Sequence, residues 1–261
     1  MIQSFKIQKF NLPKFAILFL VLVMAGCSST PSADGDSDPK DTLEPINRTM
    51  WTFTWDYADK YVIRPASMAY VEYVPDPLRE GLHNMALNLN EPSSAINSLL
   101  QGKFANSAKT VGRFVLNSTV GLLGFFDPAS DFGWVVEQEE FGEVLGSYGV
   151  GDGPYLVVPV LGPSSVRDEA GDFVDRYYWP LAVIDFWPNL VRSAVIGMEA
   201  RAKLVSQEQL LEDSADPYEF VKGAYFQNMQ YRLHDGNPPI DVNEEEEAEL
   251  DAYLDELDEE N

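Results

Sequence analysis

The chain is poor in the residues on which most protein chemistry depends. It has one cysteine, Cys27, and two histidines, His83 and His234. A single cysteine excludes an intrachain disulfide. With none after residue 27, the body has neither a thiol nucleophile nor a thiolate metal site. The histidines form no H-E-x-x-H or other metal-ligand pair, and each reads as a surface or packing residue. No G-x-S-x-G marks an esterase elbow, and Asp131-Phe132-Gly133 spells a kinase tripeptide without its companions. The glycine-rich run Gly146 to Pro154 follows a helical pattern and precedes a short strand, the wrong order for a dinucleotide loop. It has no Walker-type lysine and reads as a flexible turn. No cofactor or metal is expected.

Positive charge is scarce as well: 18 Lys+Arg stand against 42 Asp+Glu, a net charge of −24. Such a body has no nucleic-acid partner, because phosphates require a cationic surface. It does not cling to anionic lipid by charge either. The N-terminal apolar run, Phe15 to Gly26, is 12 residues long, and a helix needs about 20 to cross a hydrocarbon core.

That run follows Lys6, Lys9 and Lys14 and leads into small polar residues, the pattern of a secretory signal. Its exit, Met24-Ala25-Gly26-Cys27, resembles the lipobox cut by lipoprotein signal peptidase. Residues 1–26 are therefore expected to be removed and Cys27 to carry the acyl chains. Ser28 follows, not aspartate, which by resemblance to the Gram-negative sorting rule directs the product to the outer membrane. Residues 27–40 read as the lipidated N-terminus and a flexible tether, its linker spanning at most about 43 Å. The body is expected over 41–235. Residues 236–261 form an acidic tail expected to be disordered, with a weak amphipathic helix around Leu250, Leu254 and Leu257 as the alternative.

Within the body, the apolar period and Pro-marked helix starts predict a mainly α, single-domain protein with minimal strand content. Helices are expected at about 44–61, 66–73, 77–89, 91–101, 104–119, 137–146, 164–179, 180–205 and 216–233. Tyr155 to Val158 is the one expected strand, limited by Pro159. Two helices are apolar around much of their circumference, one around Trp51 and Trp55, the other around Phe186 and Trp187 with a kink expected at Pro188. On a lipid-anchored protein both are expected to touch the membrane; a place at the centre of a globular core is the alternative. Asp168, Asp172 and Asp175 share a helical face beside Arg167 and Arg176. They read as a water-lined face with internal salt bridges, or else as a cation site or acid pair. Gly121 and Gly124, with Gly149 and Gly151, are expected to hinge a mobile hairpin over 120–150, tight packing being the alternative.

Ordered runs then carry a resemblance across about 41–235. They include Leu43-Glu44-Pro45-Ile46-Asn47-Arg48, Tyr61-Val62-Ile63-Arg64-Pro65, Glu91-Pro92, Ile96-Asn97 and Leu100-Gln101-Gly102. They continue with Arg113 to Gly124, Phe141 to Gly146, Tyr148 to Tyr155, Arg167-Asp168 and Asp216-Pro217-Tyr218. The chain resembles the MlaA (VacJ) family of outer-membrane phospholipid-transport lipoproteins. Glu143 stands where that family often has glutamine.

The resemblance implies a helical ring in the inner leaflet of the outer membrane, with a water-lined channel. It also implies association with trimeric porins, removal of misplaced outer-leaflet phospholipids, and delivery to a soluble periplasmic carrier of the MlaC type. Asn47, Arg48, Arg167, Asp168 and Asp172 are then the expected lining of the polar path. Alternatives are a lipid-active hydrolase, or a lipoprotein that only braces a porin. Cys27→Ala is expected to abolish palmitate labelling and outer-membrane fractionation; unchanged labelling would refute the lipobox assignment.

Overall fold

The computed structural model describes residues 38–135 and 138–238. The signal segment, Cys27, most of the tether and the acidic tail beyond 238 lie outside the described residues. From Pro39 onward the described residues belong to one compact unit. Its elements are α1 (Glu44–Thr52), a π-helical stretch (Phe53–Ile63), α2 (Arg64–Tyr73), α3 (Asp76–Asn88), α4 (Glu91–Leu100) and α5 (Phe104–Thr119). There follow α6 (Pro128–Asp131), α7 (Phe141–Ser147), β1 (Tyr155–Val158), β2 (Gly162–Ser165), α8 (Val166–Asp175) and α9 (Phe186–Leu204). Short 3-10 turns flank α9, and α10 (Glu208–Glu212) and α11 (Pro217–Leu233) complete the unit. The mainly α expectation holds.

Three local expectations are corrected. The expected break between 61 and 66 is absent, because the chain stays helical from α1 through Phe53–Ile63 into α2. The wide π turns lie directly before Pro65, whose ring would otherwise meet the carbonyl four residues back. A second strand, β2, takes residues expected to open a helix, and pairs antiparallel with β1 from Tyr155↔Ser165 to Val158↔Gly162. Its Pro163 is tolerated because the sheet has only two strands. Pro188 does not kink a long helix: α9 starts at Phe186, so Pro188 sits in its first turn, where an N–H has no helical partner to lose.

Helix starts follow local chemistry. Asp216 accepts from the Tyr218 and Glu219 N–H groups to open α11, Ser165 caps α8, and Glu140 with Glu143 forms a capping box on α7. The outer edge of β1 is closed by the first helical stretch. The Asn47 amide donates to Tyr155 O (2.9 Å) and to Asp41 Oδ1 (2.8 Å), and its oxygen accepts from Val157 N (3.0 Å). Lys40 O accepts from Tyr155 N, and Thr54 Oγ1 from Val160 N. Three of the backbone groups on this strand edge, Tyr155 N, Tyr155 O and Val157 N, are thus covered. A small aromatic core of Tyr155, Val157 and Tyr218 packs beside it, with Met50, Trp51, Tyr225 and Phe226 around it.

Elsewhere the interior is polar. Helix α4 buries Glu91, Ser93, Ser94, Asn97 and Ser98, and Asn88, Thr110, Asn117 and Arg167 are buried nearby in the same unit. Large apolar side chains are instead widely exposed, among them Tyr57, Tyr61, Leu122, Leu123, Phe126, Phe132, Val183, Phe186, Trp187 and Val191. Among the described residues no helix is long and apolar enough to cross a membrane.

Asn47 serves three buried partners, so Asn47→Ala leaves two backbone groups unsatisfied and takes one bond from Asp41, which keeps those to Tyr218 and Lys222. The expected loss is about 3 kcal/mol, which lowers the thermal unfolding midpoint by about 10 °C.

Candidate functional site

An open cavity of about 490 Å³ lies where α4, the segment at Gln138 to Glu140, α8 and α9 meet. The start of α4 contributes Asn90, Ser93 and Ser94; α8 contributes Asp172, Asp175 and Arg176; α9 contributes Phe186, Asn189, Leu190, Arg192 and Ser193. Leu161 and Leu181 add apolar wall.

Hydrogen bonds fix this wall. Ser94 Oγ accepts from Glu139 N (2.8 Å), and Asn97 donates to Glu139 O (3.1 Å) and to Asp175 Oδ1 (2.8 Å). Asp175 also accepts from Phe141 N (2.9 Å). Lys103 holds Glu139 at 3.0 Å, and Arg232 holds Glu140 at 3.1 Å. Asn90, at the N-cap of α4, donates to Gln138 (3.3 Å) and accepts from Arg192 Nη1 (2.8 Å). Its carboxamide is spent on the cavity, so α4 starts without a side-chain cap.

The electrostatics are mixed. Asp172 opens onto the cavity, so water reaches it, yet protein surrounds it on most sides. That burial, then Glu140 and Glu169, push its carboxyl up to about 7, with Arg176 pulling the other way. Burial raises Asp175, against the bonds from Phe141 N and Asn97. Burial and the nearby Arg176 hold the Arg192 guanidinium below its usual range. Among the described residues no group of His, Cys, Asp and Glu is arranged to hold a metal ion.

A second polar cavity of about 260 Å³ lies among α3, α4 and α5. There Arg113 pairs with Glu91 and Asp127, each at 3.1 Å. Asn117 donates to Asp127 (2.8 Å) and accepts from Ala129 N (3.1 Å). These groups are mutually satisfied.

Of the five residues expected to line a polar path, only Asp172 reaches the larger cavity. Asn47 is 2% exposed and seals the β1 edge. Arg48 joins α1 to the start of α11, bonding Glu44 (2.6 Å) and Asp216 (2.9 Å) and lying over the Tyr218 ring. Arg167 is buried on Asp152 (2.7 Å), and Asp168 accepts from the Tyr225 hydroxyl. Each of these four has a partner within the protein, although Arg167 keeps Nε and Nη2 without a hydrogen bond.

The aromatic residues divide as well. Trp51 and Trp55 stack at 5.5 Å and are half-buried, Trp51 against the Tyr218 ring and Trp55 beneath Arg201. The exposed rings of that stretch are Phe53, Tyr57 and Tyr61. Phe186 and Trp187 are 69% and 70% exposed at the start of α9.

Gly121 and Gly124 close a tight turn in which Leu122 and Leu123 also have positive φ. A Cβ at Gly121 would lie 2.3 Å from Phe126 O, and one at Gly124 would meet Asn88. Gly149 has φ +83 in open space, and Gly151 faces open space with ordinary φ.

Sequence reasoning missed Arg192 and Asn189 and took Arg176 only as a salt-bridge member. The available signal was Arg192 itself, the one charged residue in the apolar first half of α9.

Comparison with known proteins gives concordant matches. A family profile described as MlaA lipoprotein matches residues 39–232. The chain is 36% identical over 249 residues to the intermembrane phospholipid transport system lipoprotein MlaA of Haemophilus influenzae, covering 92% of this chain and 96% of that protein. It is 39% identical over 219 residues to the protein so named in Escherichia coli K12, covering 82% and 86%. A solved structure, described as the structural basis for maintenance of bacterial outer membrane lipid asymmetry, superposes with a TM-score of 0.71 at 39% identity. It covers 76% of this chain and 100% of that one.

Glu143 provides a pH test. Burial raises its carboxyl, Glu139 and Glu140 add to the rise, and Arg232 opposes it. A carboxyl raised on folding adds stability below its unfolded value and loses it as pH climbs through the folded one. Glu143→Gln is expected to match the parent in thermal unfolding at about pH 5 and to exceed it at about pH 9.

Proposed function

The chain belongs to the MlaA lipoprotein family, and from that premise we infer that the cavity between α4, α8 and α9 is part of a headgroup path. The protein works in intermembrane phospholipid transport and the maintenance of outer-membrane lipid asymmetry. The observation that carries the finer reading is the pairing of a polar, open cavity with exposed Phe186, Trp187 and Val191 on the same helix. A phospholipid moves at low cost only if its headgroup stays wet while its chains stay in hydrocarbon, since each exposed methylene costs about 0.8 kcal/mol. Helix α9 offers both conditions on neighbouring faces.

In this reading the exposed apolar surface sits in the inner leaflet of the outer membrane, held there by acyl chains on Cys27. The protein takes misplaced phospholipid from the outer leaflet, associates with trimeric porins, and passes lipid to a soluble periplasmic carrier of the MlaC type. No covalent step is involved. Of the hairpin expected over 120–150, the part around Gly149 and Gly151 moves to gate passage, since hydrogen bonds hold residues 139–141 and the turn at Asp127. Close packing at Gly121 and Gly124 makes that end the fixed one, and the open surroundings of Gly149 and Gly151 make the other end the pivot.

One experiment tests transport and gating together. Phospholipid exposed on the cell surface is labelled in cells lacking the gene, with and without complementation. Surface phospholipid is expected to rise on deletion and to return to normal with the parent chain. The Gly149→Ala, Gly151→Ala double variant is expected to accumulate normally yet fail to clear it. No rise on deletion overturns the transport reading, and an abundant, fully active double variant overturns the pivot.

A further inference from the structure

Arginine in this chain almost always has an acid. Arg48, Arg64, Arg79, Arg113, Arg167, Arg201 and Arg232 all pair with carboxylates. The other two, Arg176 and Arg192, line the same 490 Å³ cavity. Among the described residues Arg176 has no side-chain hydrogen bond or ion pair, and Arg192 bonds only the neutral oxygens of Asn189 (3.0 Å) and Asn90 (2.8 Å). Those bonds use Nε and Nη1 and aim the guanidinium while leaving Nη2 open. Acids are abundant, and two guanidiniums held close enough to repel one another gain from a shared anion.

The acids of this wall show the complementary pattern. Glu139 pairs with Lys103, Glu140 shares Arg232 with Glu143, and Asp175 is held by Asn97 and Phe141 N. Asp172 remains, one helical turn before Arg176 and, among the described residues, without a side-chain partner. The cavity therefore presents two open cations and one open anion beside the apolar surfaces of Leu181, Phe186 and Leu190.

We propose that this cavity is a subsite for a zwitterionic phospholipid, with its phosphodiester on Arg176 and Arg192 and its headgroup ammonium on Asp172. The assignment rests on the transport reading and adds headgroup selectivity to it. The Arg192 fork suits two phosphate oxygens. An ammonium at Asp172 adds opposite charge to that of Arg176 and draws its carboxyl further to the ionised form. The apolar rim meets the glycerol and first chain carbons.

The test uses the purified full-length lipoprotein and three probes: dihexanoyl phosphatidylethanolamine, dihexanoyl phosphatidylglycerol and inorganic phosphate. Calorimetric titration of the parent is expected to show tighter binding of the ethanolamine lipid than of the glycerol lipid. Arg176→Gln with Arg192→Gln is expected to weaken both lipids about tenfold or more, the scale of one lost charge-assisted bond. Asp172→Asn is expected to weaken the ethanolamine lipid about fivefold and to leave the glycerol lipid as tight or tighter. Arg192→Lys, which keeps the charge and loses the fork, is expected to fall between parent and double variant, and its fold is checked by thermal unfolding. Parent-like lipid binding by a folded double variant overturns the subsite. So does equal loss of both lipids in Asp172→Asn, or displacement of lipid by inorganic phosphate at matched concentration, which marks a free-phosphate site. In cells, a double variant that clears surface phospholipid normally removes the subsite and leaves transport standing; failure of the parent chain to clear it removes transport itself.

Discussion

The structure depends on one constraint: polar groups buried in its interior are held mainly by partners inside the protein, although some among the described residues, such as Ser67 Oγ and Tyr155 Oη, have none. Asparagine, serine, threonine and paired charges occupy much of the interior, while large apolar side chains lie outside. An unmatched buried donor or acceptor costs about 1–3 kcal/mol, so each such group dictates where its partner must be. Asn47 sets the β1 edge in this way, Asn97 and Ser94 fix residues 138–141, and Asn117 and Arg113 hold the turn at Asp127. Hydrogen bonding confers a defined geometry here where an ordinary soluble domain would use a packed hydrocarbon core.

Matching of this kind also separates scaffold from site. Where every group has a partner, as around Glu91, Arg113 and Asp127, the network is structural. The wall formed by Asp172, Arg176 and Arg192 sits in the same polar fabric but keeps charge in hand. The two sets differ in no residue type. They differ only in whether the opposite charge is supplied by the chain, which is why distances rather than motifs distinguish them.

The sequence made many helices legible because starts such as Asp216-Pro217 are written locally and because apolar spacing repeats within each; the start expected at 137 instead falls at Phe141, behind the Glu140/Glu143 box. The pairing of Gly162–Ser165 with β1 was not legible, since a four-residue strand with Gly and Pro carries no alternation of its own. Its partner supplies the reason to be extended. Asn47, Arg48, Arg167 and Asp168 were singled out by their types and neighbours, but a polar residue beside an apolar run looks the same whether it faces water or a buried mate. The glycines divide for a similar reason: only three-dimensional proximity shows that Gly121 sits against Phe126 O while Gly151 faces open space.

The outward-facing rings and aliphatic chains of α9, of residues 120–135 and of the π-helical stretch bear on how such a protein behaves in water. Surface of that kind is suited to hydrocarbon and costly to hold in water. Left uncovered, that surface invites self-association. A net charge of −24 keeps copies apart electrostatically, but it does not hide the apolar faces. What covers those faces, and not charge alone, decides whether such a chain stays dispersed.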